Sequence, residues 1–372
     1  MIYLDHNATT PVRPEVVSRI AEVLALPGNP SSTHAAGRQA RKVLDDARDQ
    51  VAAACGASPR EIVFTSGGTE ANGMALSGIS AEHLIVSATE HDSILTHAGE
   101  SGLPYDVVPV DSGGSIQLDV LESCLRAAKG RMLVSVMLAN NETGVLQPIS
   151  EIASLAKEHE AFIHCDAVQA FGKIPVDFEA LGVDYMSLSS HKIGGPKGVG
   201  CLVVRAGLDV KPFVHGGGQE MGRRSGTENL PGIGGFGMAA SMVPDLLAQM
   251  EELQQWRDSL ESDMRSASND VVVMGDADNR LSNTLNISMP GVDNDVQLMA
   301  LDLAGYCVSA GSACSSGKVS VSHVLQAMNV PPDIARTTLR ISLGWNTQQQ
   351  EVEAFAEAWK DIYSRKAAKA AP

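Results

Sequence analysis

Four residues stand where side chains of their type can do chemistry: Cys314, Lys192, Asp166 and His91. Cys314 lies in SAGSACSSGK, with no large neighbour to bury it and no nearby cysteine to pair with it. Free cysteine is ordinarily a small buried apolar residue, whereas a thiol held out on a loop can serve as a nucleophile through its thiolate. Lys192 follows the apolar run DYMSLSS. Its amine is either partly desolvated there, which lowers its pKa and makes it a usable nucleophile, or it snorkels to water. Lys197, deeper in the glycine-rich GGPKGVG, is the weaker candidate. Asp166 ends the run AFIHCDA. A buried carboxylate needs a partner, which is either a structural salt bridge or a cationic group on a ligand. His91, after HLIVSA, suits ring stacking or proton relay, or a structural hydrogen bond. GGTEAN (67–72) opens a helical stretch whose first N–H groups could cradle a phosphate, or it is an ordinary glycine turn.

The elements that must position these groups follow from hydropathy. Apolar or small residues at 40, 44, 47, 51 and 54, with Gly56 as a stop, predict a helix over 34–55. EIVFTS, HLIVSA, MLVSVMLAN, AFIHCDA, DYMSLSS and GCLVVR are short apolar runs without polar alternation, as in parallel strands covered on both faces. Their alternation with helical stretches predicts an α/β sheet with right-handed crossovers, and ligands collect at the carboxyl ends of such strands. Residues 232–267 read as one long helix with a kink at Pro244. Beyond it, VVVMG, TLNIS, YCVSA and TLRISL read as strands around helices near 294–304, 321–329 and 348–365. The expected organisation is a large α/β domain over 15–245 that carries Lys192, Asp166 and His91. Residues 246–372, joined by the N-terminal segment 1–14, form a smaller α+β domain carrying the cysteine loop.

Composition narrows the function. The chain has 372 residues, 44% of them hydrophobic, and a formal net charge of −16. That charge argues against a nucleic-acid or anionic-membrane surface, and no apolar run reaches membrane-spanning length. Six scattered cysteines without a C-x-x-C and no secretion signal point to a reducing cytoplasm. No metal site is expected, since His164, Cys165 and Asp166 alternate faces on one strand. GIGGFG (232–237) fits a dinucleotide pattern but follows no strand, so its glycines are assigned to close helix packing. The combination of lysine, strand-end acid and anion cradle matches pyridoxal phosphate, which needs an imine-forming amine, an acid at its ring nitrogen and a phosphate site. A non-enzymatic sulfur carrier would keep Cys314 but has no use for Lys192 and Asp166.

Nearly end to end, the chain resembles the cysteine desulfurases of the NifS/IscS-like group, class-V aminotransferases that use pyridoxal phosphate. The resemblance rests on YLDHNATTP (3–11), NPSSTHAAG (29–37), TSGGTEAN (65–72), TEHDS (89–93), NNETG (140–144), HCDAVQAFGK (164–173), SLSSHKIGGPKGVG (187–200), GGGQEMGRRSGTEN (216–229), GSACSSG (311–317) and RISLG (340–344). It implies the aspartate-aminotransferase-like fold, with a mainly parallel sheet in the large domain. Lys192 resembles the Schiff-base lysine, Asp166 the acid at the ring nitrogen and Gln169 the residue bonded to the ring hydroxyl. Gly68, Thr69, Ser189 and His191 resemble phosphate ligands, and Thr227 one contributed by the neighbouring subunit of a homodimer. His91 resembles the ring-stacking histidine, and Asn141 and Arg340 the residues that hold substrate near its carboxylate. A guanidinium also offers a carboxylate two parallel hydrogen bonds that lysine cannot copy.

The resemblance implies that Cys314 takes sulfur from L-cysteine as a persulfide, with L-alanine released and His91 or the substrate amine accepting the thiol proton. An iron–sulfur scaffold or another acceptor protein would then receive the sulfur. GSAC marks the branch with the longer cysteine loop, and the CSSG wording is closer to the nitrogen-fixation type than to the housekeeping type. A selenocysteine lyase, or another class-V aminotransferase or lyase, is the alternative within the same fold.

Overall fold

The computed structural model describes residues 1–311 and 322–370, with side chains described to residue 365. Strands β1 (Ile2–Tyr3), β2 (Ile62–Thr65), β3 (His83–Ser87), β4 (Tyr105–Val108), β5 (Met132–Met137), β6 (Phe162–Asp166), β7 (Tyr185–Ser189) and β8 (Gly200–Val204) precede β9 (Thr284–Ser288), β10 (Tyr306–Cys307) and β11 (Thr338–Ser342). Seven of them form one sheet in the order β2-β8-β7-β6-β5-β3-β4. All its pairs are parallel except those of β8, which runs antiparallel to both β2 and β7.

The sheet explains the unbroken apolar runs. Successive side chains alternate faces, and each face has its own core. Leu84, Val86 and Leu133 pack with Ala71, Met74 and Ile94 of the helices Gly68–Gly78 and Asp92–Glu100. Ile85, Val134, Val136 and Ile163 pack on the other side with Leu121, Ile152, Leu44 and Phe236. The glycines of GIGGFG belong to that second layer. A Cβ on Gly237 would lie 2.6 Å from Ala47 Cα, so the helix Leu230–Ser241 can approach the helix Ala35–Ala54 only without a side chain there.

A further apolar cluster joins Leu4 with Leu253, Leu260, Leu285, Ile287, Leu339, Ile341, Phe355 and Trp359. It surrounds the antiparallel pair β9–β11, while β1 pairs with β10 in parallel. The helix Val243–Arg265 spans both bodies: Val243 and Leu246 enter the first core, Leu253, Leu260 and Met264 the other.

Two expectations need correction, and one strand was missed. The long helix is two helices, Leu230–Ser241 and Val243–Arg265, parted at Met242. Pro244 lies in the first turn of the second, where its missing N–H costs nothing. VVVMG forms no strand but an isolated bridge, Val273 to Ile287. YDVV, unassigned in the sequence, is the parallel edge strand β4, where Tyr105 and Val107 stay exposed and the fully buried pattern is lost.

Candidate functional site

The carboxyl ends of β5, β6 and β7, the start of the helix Gly68–Gly78 and the middle of β11 meet around one cavity of about 400 Å³. Lys192, Asp166, Gln169, Gly68, Thr69, His91, Asn141, Ser189, His191 and Arg340 all line it. Thr227 does not: it is exposed on the segment before the helix Leu230–Ser241. Cys314 lies outside the described residues. Gly311 and His323 also line the cavity.

Lys192 ends the short turn Ser190–Lys192 that follows β7. Its amine donates to the backbone carbonyl of Asn7, and to that of Ala8 at 3.0 Å. Asp166 is buried at the end of β6. Its Oδ2 accepts from Asn72 Nδ2 at 2.8 Å and its Oδ1 from the Val168 N–H at 3.0 Å. No described ion pair includes it, so the structural salt bridge open from the sequence is absent among the described residues. Two neutral donors hold the carboxylate in the cavity wall with its charge available to a cationic group.

Gln169 is buried too; its Nε2 donates to the Asn7 carbonyl at 2.9 Å, and its Oε1 accepts from Lys173 Nζ at 2.7 Å. His91 caps the helix Asp92–Glu100, with Nδ1 accepting from the Ser93 N–H at 3.1 Å. That bond leaves the proton of a neutral imidazole on Nε2. His191 Nδ1 lies 3.1 Å from Thr9 Oγ1. Burial, reinforced by Lys192, Lys197 and Lys173, lowers its pKa to about 4, so it is neutral near pH 7.

Gly68 begins its helix against Val168 and Ser189, where an added Cβ would come within 2.9 Å of Val168 Cγ2. The N–H groups of such a first turn have no partner within the helix, and with the Thr69 and Ser189 hydroxyls on the same cavity they could cradle an anion. Opposite the large sheet, Arg340 donates through Nη2 to Asp5 Oδ1 at 2.7 Å and through Nη1 to the Asn141 carbonyl at 3.0 Å. Its Nε is buried without a hydrogen-bond partner among the described residues.

Several residues of the site were not singled out from the sequence, namely Asn7, Asn72, Glu142 and His323. Asn7, Asn72 and Glu142 do lie inside the motifs YLDHNATTP, TSGGTEAN and NNETG, and that is their only local signal. Glu142 is wholly buried, accepts from Ser322 Oγ at 2.5 Å, and has its pKa raised, chiefly by burial. His323 Nε2 meets the Glu90 carbonyl at 2.9 Å.

The family model "Aminotransferase class-V" matches residues 2–355. "Cysteine desulfurase IscS" of Dictyoglomus turgidum is 42% identical over 98% of this chain and 95% of its own length. The X-ray structure of a NifS-like protein from Rickettsia africae superposes with a TM-score of 0.91 at 38% identity, covering 98% of this chain and 99% of that one. A structure described as SspA in complex with cysteine superposes with a TM-score of 0.79 at 32% identity, covering 94% of this chain and 100% of that one. The chain therefore belongs to the class-V aminotransferases, and within them to the cysteine desulfurases.

Proposed function

We propose that this protein is a pyridoxal-phosphate-dependent cysteine desulfurase that converts L-cysteine to L-alanine and leaves the sulfur as a persulfide on Cys314. One observation carries the reading: a lysine amine, a buried carboxylate outside any described ion pair, a helix-start anion cradle and a buried arginine line one cavity. The donor set fits pyridoxal phosphate. Lys192 would hold it covalently, Asp166 would keep the ring nitrogen protonated, and Gln169 would meet the ring oxygen. Gly68, Thr69, Ser189 and neutral His191 would receive the phosphate, and His91 would cover the ring. When bound, the group supplies an electron-withdrawing ring conjugated to the substrate α-carbon.

The chain's own residues do the rest. Arg340, with Asn141 beside it, receives the substrate carboxylate and orients the amino acid. Lys192 Nζ, steered by the carbonyls of Asn7 and Ala8, moves the proton at the substrate α-carbon. The Cys314 thiolate attacks the substrate sulfur, with His91 or the substrate amine taking the thiol proton. A sulfur–sulfur bond forms, and the carbon–sulfur bond breaks with its electron pair left on carbon. The proton lost from Cys314 is matched by the one gained at the alanine methyl, so no outside oxidant or reductant enters.

Thr227 is exposed and does not line its own chain's cavity, which supports a role in the neighbouring subunit of a homodimer. Phe213 and Met221, 50% and 55% exposed on the same stretch, add apolar surface for that contact. The sulfur passes to an iron–sulfur scaffold or another acceptor protein. The five described cysteines are all free, which suits a reducing cytoplasm, and no described helix is long and apolar enough to cross a membrane.

Cys314→Ala tests the reading. It should keep the visible absorption of the lysine-bound cofactor and lose both sulfide and alanine production, while mass mapping of wild-type protein after cysteine treatment finds added sulfur at Cys314. Normal turnover by the variant would refute the assignment.

A further inference from the structure

Lys173 is buried, with 7% of its surface exposed, on the turn after β6, and it does not line the cavity. Its amine donates at 2.7 Å to two side-chain amide oxygens, Asn7 Oδ1 and Gln169 Oε1. The charged and titratable groups facing it are Lys192, Arg340, His6 and His191, none of them an acid. Burial first, then Lys192 and Arg340, push its pKa well down. Keeping an amine in such a place is costly, so what its donors accomplish matters.

They decide the orientation of Gln169. Asn7 is fixed from its other side, since its Nδ2 donates to Thr284 Oγ1 at 2.9 Å and to the Asn141 carbonyl at 3.2 Å. Its Oδ1 is thereby committed toward Lys173. A lysine amine bonded to two carbonyl oxygens presents only N–H groups to them, charged or neutral. A flipped Gln169 would set its NH₂ against those donors. The Gln169 oxygen therefore faces Lys173, one Nε2 hydrogen goes to the Asn7 carbonyl, and the other is left for the cavity that Gln169 lines.

We propose that Lys173 is a positioning residue that locks the Gln169 carboxamide with its N–H side toward the cofactor's ring oxygen. That oxygen is then received as a hydrogen-bond acceptor and held in its ionised form. The inference rests on the pyridoxal reading above and concerns a residue that touches neither cofactor nor substrate.

The test is a pH titration of the visible lysine–pyridoxal band in protein reconstituted with pyridoxal phosphate. Loss of a donor to the ring oxygen lets the lysine-linked nitrogen keep its proton to higher pH. Lys173→Met should therefore raise the midpoint by about one pH unit or more, and Lys173→Arg, which keeps the donors, should move it back toward wild type. Gln169→Leu should raise it too, and the double variant should move it by less than the sum of the two.

A cofactor-bound Lys173→Met protein with the wild-type midpoint, or full additivity in the double variant, overturns the proposal. If Lys173→Met does not fold, Gln169→Glu serves instead. One carboxylate oxygen would pair with Lys173 and the other would replace Nε2 beside the Asn7 carbonyl, so the donor to the ring oxygen is lost and the midpoint should rise. An unchanged midpoint there overturns the proposal equally. Wild-type protein that takes up no pyridoxal phosphate and shows no band would overturn the pyridoxal reading itself, a result distinct from all of these.

Discussion

Arg340→Lys separates the geometry of the guanidinium from its charge. The side chain is 3% exposed, with Nη2 held by Asp5 and Nη1 by the Asn141 carbonyl, while Nε is buried with no partner among the described residues. Two N–H directions are thus committed to the protein, which leaves one hydrogen on each Nη for a substrate carboxylate. Lysine keeps the charge and can keep the tie to Asp5, but its single nitrogen cannot offer the parallel pair. Alanine would be a poorer probe, because it strands the half-buried Asp5 carboxylate and mixes a folding cost into the result. One charge-assisted hydrogen bond contributes about 1.5–3 kcal/mol. At about 1.4 kcal/mol per tenfold, KM for cysteine should rise about 10- to 150-fold. The carboxylate keeps its charge throughout the reaction, so kcat should change little. The assay is alanine and sulfide production against cysteine concentration, with melting followed in parallel. Binding of L-alanine, which carries the carboxylate without the sulfur, should weaken by the same factor. A KM within about twofold of wild type, with the loss falling on kcat instead, would remove Arg340 from the carboxylate site.

Lys192→Ala should abolish the borohydride-reducible protein–cofactor adduct together with turnover; an adduct persisting at another lysine would reassign the imine. Glu90 is fully buried, with one oxygen accepting from the Met137 N–H at 2.7 Å and the other unpartnered, and burial raises its pKa well above the ordinary value. The folded protein therefore binds a proton there that the unfolded chain releases above its own carboxyl pKa, and wild-type stability is lost as pH rises through that window. Glu90→Gln removes the dependence, so denaturant melts from acid to neutral pH should show the variant gaining roughly 1 kcal/mol on wild type per pH unit; parallel curves would mean that Glu90 is ionised. Gly237→Val must displace the helix Ala35–Ala54, whose Ala47 Cα would lie 2.6 Å from the new Cβ. It should cost about 1–3 kcal/mol, and unchanged thermal stability would refute the close approach.

The strands were legible because six of the seven in the large sheet are apolar on both faces, a pattern that survives in one dimension. β4 escaped because an edge strand keeps exposed positions, and the break at Met242 escaped because Pro244 drew attention to itself although a helix start tolerates it. The candidate site was legible where chemistry-bearing residues end strands, as Asp166 does, or directly follow one, as Lys192 does. Asn72 was not, since an asparagine within a helix carries no local sign that it will meet a carboxylate from β6.

By itself, the sequence determined the sheet, the family, and which amine, acid and arginine to examine, because residue type and hydrophobic period are local properties of a chain. Tertiary structure alone decided that the Asp166 carboxylate is held by neutral donors, that Asp5 shares Arg340, and that one asparagine near the N-terminus joins Lys173, Gln169 and Lys192. Those partners stand up to 335 positions apart. No local pattern encodes such pairings; they arise when two separately packed cores bring the N-terminal segment between them, and each buried polar atom must then find a partner in what it meets.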